Sequence, residues 1–199
     1  YGHFQKGSIT VRILSYNRDE RPENGAMTLA FWVDRLSKAK SMRAVLGLPE
    51  SKTDCYRLVH GEGDSLPGLI IDIYGKTAVI QAHSAGMFLS LEVITEALKV
   101  CFGEDLASIY DKSEGTAPFK AGLDLGDKYL WGKPSENESV VLENGNKFSV
   151  NWKEGQKTGF FLDQRDNRAL VGEYAGGKNV LNMFCYTGGF SIYALNNGA

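Results

Sequence analysis

Residues 8 to 16 alternate apolar and polar side chains and are rich in β-branched types (Ile9, Thr10, Val11, Ile13), which predicts one strand with one buried face and no partner nearby. The charged stretch Asn17 to Asn24, with Pro22, predicts a loop leading into a helix from about Ala26 to Leu46. Along that helix Leu29, Phe31, Trp32, Val33, Leu36, Ala39, Met42, Ala44 and Val45 recur near the helical period, while Arg35, Lys38, Lys40 and Arg43 take other faces. A solvated basic side is the common meaning of such a pattern, and a side turned to RNA the functional one. From Tyr56 the pattern shortens to strands: 56 to 60, a turn at Gly61-Glu62-Gly63-Asp64, then 69 to 74 and 77 to 82 around Gly75-Lys76. A helix from about Met87 to Phe102 and strands near 106 to 111 and 129 to 131 complete a small α+β module of strand-strand-helix-strand-strand type, ending around Pro134.

Beyond it, Asn144-Gly145 between Val140-Val141-Leu142 and the run Lys147 to Trp152 predicts a tight hairpin, where a new domain opens. The last stretch predicts a helix from about Arg165 to Glu173, a Gly176-Gly177 break, a buried strand from Asn179 to Phe184, a turn at Gly188-Gly189 and a helix from Phe190 to Asn197. Strand, glycine turn and helix is the opening of an α/β nucleotide-binding fold.

Composition adds limits. With 199 residues, 43% hydrophobic residues and a net charge of -2, one large or two small domains fit, and the total charge neither demands nor excludes nucleic acid. No apolar run reaches a membrane span, and the first residues lack a signal-peptide pattern, so a cytoplasmic location without membrane attachment is expected. Cys55, Cys101 and Cys185 are far apart and odd in number, which argues for reduced thiols; His3, His60 and His83 are scattered, so no metal is expected. The start at Tyr1 and the stop at Gly198-Ala199 lead to the expectation of truncation at both ends.

Two segments carry candidate chemistry. A glycine turn between a strand and a helix lets backbone approach a ligand and aims free helix N–H groups at it, although the Gly188-Gly189 turn lacks both the dinucleotide fingerprint and a phosphate-cradling lysine. As a packing turn it would need no ligand. Gly155 to Arg168 gathers Gln164, Arg165 and Arg168 beside Phe160 and Phe161: arginine can pair a carboxylate or phosphate, and a phenylalanine can cover an adenine or a base. The plain alternative is a helix capped by Asp163, with core phenylalanines and solvated Arg165, Asp166 and Arg168. Asp111-Lys112-Ser113-Glu114-Gly115 reads as a solvated polar turn in preference to an acid/base cluster.

In combination, residues 155 to 168 followed by Asn182-Met183-Phe184-Cys185-Tyr186-Thr187-Gly188-Gly189-Phe190-Ser191 resemble the bacterial 23S rRNA cytosine-5 methyltransferases. Gly7 to Arg12 looks like the last strand of that family's PUA domain, and Gly63-Asp64-Ser65-Leu66-Pro67-Gly68-Leu69 resembles its central-domain turn. The resemblance implies residues 1–16 as the remnant of a PUA β-barrel, 17–54 as a linker helix region, 55–135 as the central α+β domain, and 136–199 as the N-terminal part of a Rossmann-like class I methyltransferase domain. It further implies S-adenosylmethionine as cofactor, ribosomal RNA as substrate and a homodimer. Gly188 and Gly189 would lie under the methionine part of the cofactor, Phe184, Tyr186 and Thr187 would line the same pocket, and Gln164 and Arg165 would close it beside Phe161.

Carbon-5 of cytosine takes a methyl group only after a cysteine thiolate adds to carbon-6. The family's nucleophile lies downstream of the motifs present here, so Cys185 is expected to be a small packing residue, Cys55 and Cys101 buried hydrophobes, and none of the three catalytic. The ribose-binding acid and the Asp-Pro-Pro type motif of the class are absent, so this chain alone is expected to be inactive. An unpaired strand from Val180 to Phe184 is expected to be covered by a partner chain or poorly ordered. The remaining alternatives are a guanine-N7 rRNA methyltransferase and a non-catalytic RNA-binding module.

Overall fold

The computed structural model describes residues 1–7, 9–118, 122–134 and 138–199. Its organising element is a five-stranded sheet of β3 (Cys55–His60), β4 (Leu69–Tyr74), β5 (Thr77–Ala82), β6 (Ser108–Asp111) and β7 (Lys128–Trp131), neighbours in that order. All pairs are antiparallel except β5 with β6. A parallel pair needs a long crossover, and helices α2 (Ala85–Leu89) and α3 (Leu91–Phe102) supply it. Three strands therefore precede the helices, matching the three runs expected at 56–60, 69–74 and 77–82, although the strand-strand-helix-strand-strand type named for the module counts only two. The single helix expected from Met87 is divided at Ser90, whose hydroxyl donates to the Gly86 carbonyl at 2.8 Å.

Alternation along these strands sends side chains into two cores. On one face Tyr56, Leu58, Ile71, Ile73, Ile80 and Ile109 pack against α3 and against α1 (Leu29–Val45). The bulge between Arg57 and Val59 turns both Leu58 and Val59 to this side. On the other face Cys55, Tyr74, Val79 and Tyr110 meet Val141, Phe148 and Val150 of the hairpin β8 (Glu138–Glu143) and β9 (Asn146–Asn151). Trp152, Phe160, Leu162 and Tyr193 close that second core.

Helix α1 starts at Thr28, whose side chain caps the Phe31 amide at 3.3 Å. Its stripe is covered only in part: Trp32 and Leu36 are wholly buried against the sheet module, whereas Leu29, Met42 and Val45 stay exposed. The lone strand expected over 8 to 16 is shorter and paired, with β2 (Val11–Ile13) antiparallel to β1 (Gly2–Phe4); Ser8 lies outside the described residues. A three-residue strand is too short to show a period, which is why its partner escaped the pattern. The Asn144-Gly145 turn has φ of 49° and 80°, the left-handed pair that a two-residue hairpin requires.

Helices α4 (Arg165–Ala175) and α5 (Gly189–Asn196) form where expected and pack on each other. The strand expected over 179 to 184 does not form. Among the described residues no strand runs beside it to take up its amides, Phe184 and Tyr186 adopt φ of 58° and 49°, and Phe184 is 99% exposed. Asp111 and Ser113 do not form a solvated turn either: both are buried, and the Ser113 hydroxyl donates to Asp111 while accepting the Ala82 amide. Burial pushes the Asp111 carboxyl up to about 6 against the opposing hydrogen bond from Ser113.

Candidate functional site

Two segments that the second core holds apart enclose a cleft of about 680 Å³. Gln156, Lys157, Phe160, Phe161, Asp163 and Gln164 form one wall; Phe184, Cys185, Tyr186, Thr187, Gly189 and Phe190 form the other. Phe161 and Tyr186 meet edge to face across it, ring centres 5.2 Å apart. The Tyr186 hydroxyl accepts the Gln156 amide at 2.9 Å, and the Lys157 ammonium sits 4.5 Å above the Phe161 ring while pairing both Asp163 oxygens at 3.0 and 3.1 Å. Partial burial alone would raise the Asp163 carboxyl, but the hydrogen bond and charge of Lys157 outweigh it and hold the group below its usual range. The combination of apolar rings with a few convergent polar groups is that of a small-molecule site, and the volume falls within the usual range of about 300–1,000 Å³.

Arg168 forms the floor. Its Nε and Nη2 fork onto Glu143 Oε1 and Oε2 at 2.8 and 2.7 Å, and Nη2 also donates to the Phe161 carbonyl at 3.0 Å. The Tyr193 hydroxyl lies 3.1 Å from Glu143 Oε1, so one ion pair joins the hairpin, α4, α5 and the phenylalanine wall. A Cβ at Gly189 would stand 3.0 Å from Arg168 Cδ, so a side chain there would press on the floor residue. Gly188 precedes α5 with φ of 77°, and it shapes the turn through its backbone.

Six of the eight expected cofactor residues thus converge on one cleft: Phe161, Gln164, Phe184, Tyr186, Thr187 and Gly189. Gly188 adjoins it. Arg165 does not face it; with Arg43, Arg57 and His60 it lines a separate hollow of about 230 Å³, and its ion-pair partner is Asp166 at 3.8 Å. Helical spacing explains the exchange, since Arg168 lies three residues on and shares a face with Arg165 only in part. Arg168, read as solvated in the plain alternative, is 2% exposed. Cys185 is exposed in the cleft wall and so is not a packing residue. Cys55 is buried, and burial pushes its thiol up to about 12, which removes its nucleophilic form at neutral pH. Cys101 is half-buried, with its sulfur 3.4 Å from the Ser37 hydroxyl.

Residues 119–199 match the family model for S-adenosylmethionine-dependent methyltransferases. The chain is 39% identical over 194 residues to the ribosomal RNA large subunit methyltransferase I of Photobacterium profundum, covering 98% of this chain and 47% of the relative. It is 42% identical over 191 residues to the protein of the same name from Pseudoalteromonas atlantica, covering 96% and 46%. The chain therefore spans about half the length of the curated relatives it matches. Among solved structures it is similar to a Streptococcus mutans protein described as a SAM-dependent methyltransferase, with a TM-score of 0.74 and 28% identity over 90% of this chain and 45% of that one. A second structure with the same figures is described as that of a methyltransferase complexed with SAH.

Proposed function

We propose that this chain holds the S-adenosylmethionine site and the RNA-side module of a methyltransferase acting on large-subunit ribosomal RNA. The observation that carries the reading is the cleft itself: both of its walls fall within the residues matched to the methyltransferase family, and they bring together most of the residues singled out for the cofactor. The cleft suits that ligand. Phe161, Phe184, Tyr186 and Phe190 offer apolar and aromatic surface to an adenine, Gln164 offers an amide edge, and the start of α5 offers free N–H groups to a carboxylate. The cofactor, when bound, supplies an electrophilic methyl group. The chain's own residues bind and orient: Arg168 fixes the floor, Gly188 and Gly189 allow close approach, and the ring pair Phe161–Tyr186 excludes water from the apolar end.

For the target, carbon-5 of cytosine is the reading favoured by the resemblance of the cleft motifs, with guanine N7 disfavoured. The resemblance puts the required thiolate downstream of these motifs; Cys55 is held protonated and Cys101 packs half-buried against the α1–α3 core, while Cys185, exposed in the wall of the cofactor cleft, is assigned no nucleophilic role in this reading. The β1–β2 hairpin exposes Phe4, Val11 and Ile13 on one side, in keeping with the edge of a PUA barrel, and a homodimer belongs to the same reading.

Nucleoside analysis after incubating the full-length protein with unmodified 23S rRNA and methyl-labelled S-adenosylmethionine tests the proposal. Labelled 5-methylcytidine is expected. Label in 7-methylguanosine would overturn the assigned atom, and absence of label with bound RNA would favour a non-catalytic RNA-binding module.

A further inference from the structure

Beneath the cleft runs a buried polar chain that begins in the five-stranded sheet. Arg57 Nε and Nη2 fork onto Asp72 Oδ1 and Oδ2 at 2.8 and 3.0 Å. Thr158 Oγ1 donates to Asp72 Oδ2 at 2.5 Å, and the Tyr74 hydroxyl lies 2.8 Å from the same Thr158 oxygen. An ionised carboxylate only accepts, and a threonine hydroxyl has one proton, so Tyr74 must donate to Thr158 and the direction of the whole chain is set. Asp72, Tyr74 and Thr158 are all wholly buried. Beside them Gln81 Nε2 donates to the Lys157 carbonyl at 3.3 Å.

These bonds end on a turn whose own preferences oppose its shape. Lys157 takes φ of 52°, and Gly159 takes 127°, where a Cβ would stand 2.9 Å from Val150. A lysine stays in the left-handed region only where its surroundings over-determine it. The turn faces the cleft on its other side: Lys157 reaches Asp163 and Phe161, and the Gln156 amide holds the Tyr186 hydroxyl.

We infer that Asp72, acting through Thr158, is a positioning residue of the cofactor cleft: its carboxylate, in the sheet module, holds the 156–159 turn in the shape that sets Lys157 and Tyr186 as walls. The inference rests on the cofactor reading of the cleft. It makes the sheet module part of the cofactor site, not only a carrier for RNA.

The test compares Asp72→Asn, Thr158→Val, Thr158→Ser and Ile94→Ala in the full-length protein, by calorimetric titration of SAH, thermal unfolding and amide exchange over residues 156–161. Thr158→Val removes one hydroxyl at nearly constant volume and is expected to raise the SAH Kd about tenfold, with Asp72→Asn moving it the same way and Thr158→Ser restoring it to within about twofold. Because both variants break one bond, the double variant should be no weaker than the worse single one. Ile94→Ala, in the core on the opposite face of the sheet, lowers the Tm and leaves the Kd unchanged. Unchanged affinity in Thr158→Val and Asp72→Asn, beside a wild type that binds, overturns the inference; so does an equal loss of affinity in Ile94→Ala at matched Tm. A wild type that binds no SAH overturns the cofactor role and the reading beneath it, while exchange that is faster in both Asp72→Asn and Thr158→Val than in Thr158→Ser still shows that Asp72 holds the turn through the Thr158 hydroxyl.

Discussion

Glu143 and Arg168 are 0% and 2% exposed, so each charge depends on the other for the solvation it gave up on folding. Arg168→Met leaves a carboxylate buried against Tyr193 without its cation and is expected to cost about 3–5 kcal/mol in urea unfolding. Arg165→Ala, at a partly exposed site with a distant partner, should stay within about 0.5 kcal/mol. Equal losses at the two arginines would contradict the assignment of Arg168 as the floor. The sequence could show that this segment held arginines beside phenylalanines, but not which arginine turns inward. That choice depends on Glu143, 25 residues earlier on a hairpin, and no local pattern joins the two.

Asp111 gives a pH signature of the opposite kind to an ordinary ion-paired acid. Its folded carboxyl lies near 6, above its unfolded value, so the folded state binds the extra proton and stability falls as pH rises from about 4 to 6. Unfolding midpoints followed across that window should show the decline in the wild type and a shallower one in Asp111→Asn. A wild type that gains as much stability in that window as the variant would contradict the buried placement of the carboxyl.

At the level of elements, the strands of the sheet module, the Asn144-Gly145 hairpin and helices α4 and α5 were legible because each rests on local chemistry: alternation, a left-handed turn pair, an apolar helical face. The segment from Val180 to Phe184 was not, although its composition is that of a buried strand. A strand is completed by a neighbour, and here Leu181 and Phe184 are exposed instead of paired. In the 199-residue chain the amides of Val180 to Phe184 should therefore exchange with solvent orders of magnitude faster than those of β4 and β5, which are buried in the middle of the sheet. Protection of both segments to the same degree would show that the apolar run pairs after all.

For the whole molecule, one sheet serves two cores, and the division of labour follows from it. Its α1–α3 face is an ordinary apolar core built by Trp32, Leu36, Ile94 and Leu98, whereas its other face carries Asp72, Tyr74 and Gln81 toward the hairpin and the cleft. Alternation along β4 and β5 could predict two faces but not that the polar one would meet a turn more than 70 residues away. The cleft's location, by contrast, is legible in the sequence, since the residues at both walls stand in two short motifs.

The most direct test of the cofactor reading is calorimetric titration of S-adenosylmethionine into the protein in its full natural length, with Gly188→Val beside it. A Cβ at Gly188 meets no protein atom within 4 Å, so within the protein the variant acts through the left-handed backbone that the turn before α5 needs, and toward the cofactor through the space the glycine leaves open. Saturable one-to-one binding, weakened at least about tenfold in the variant, is the result expected from the cleft. No binding by the unaltered protein, or equal binding by both, would contradict it.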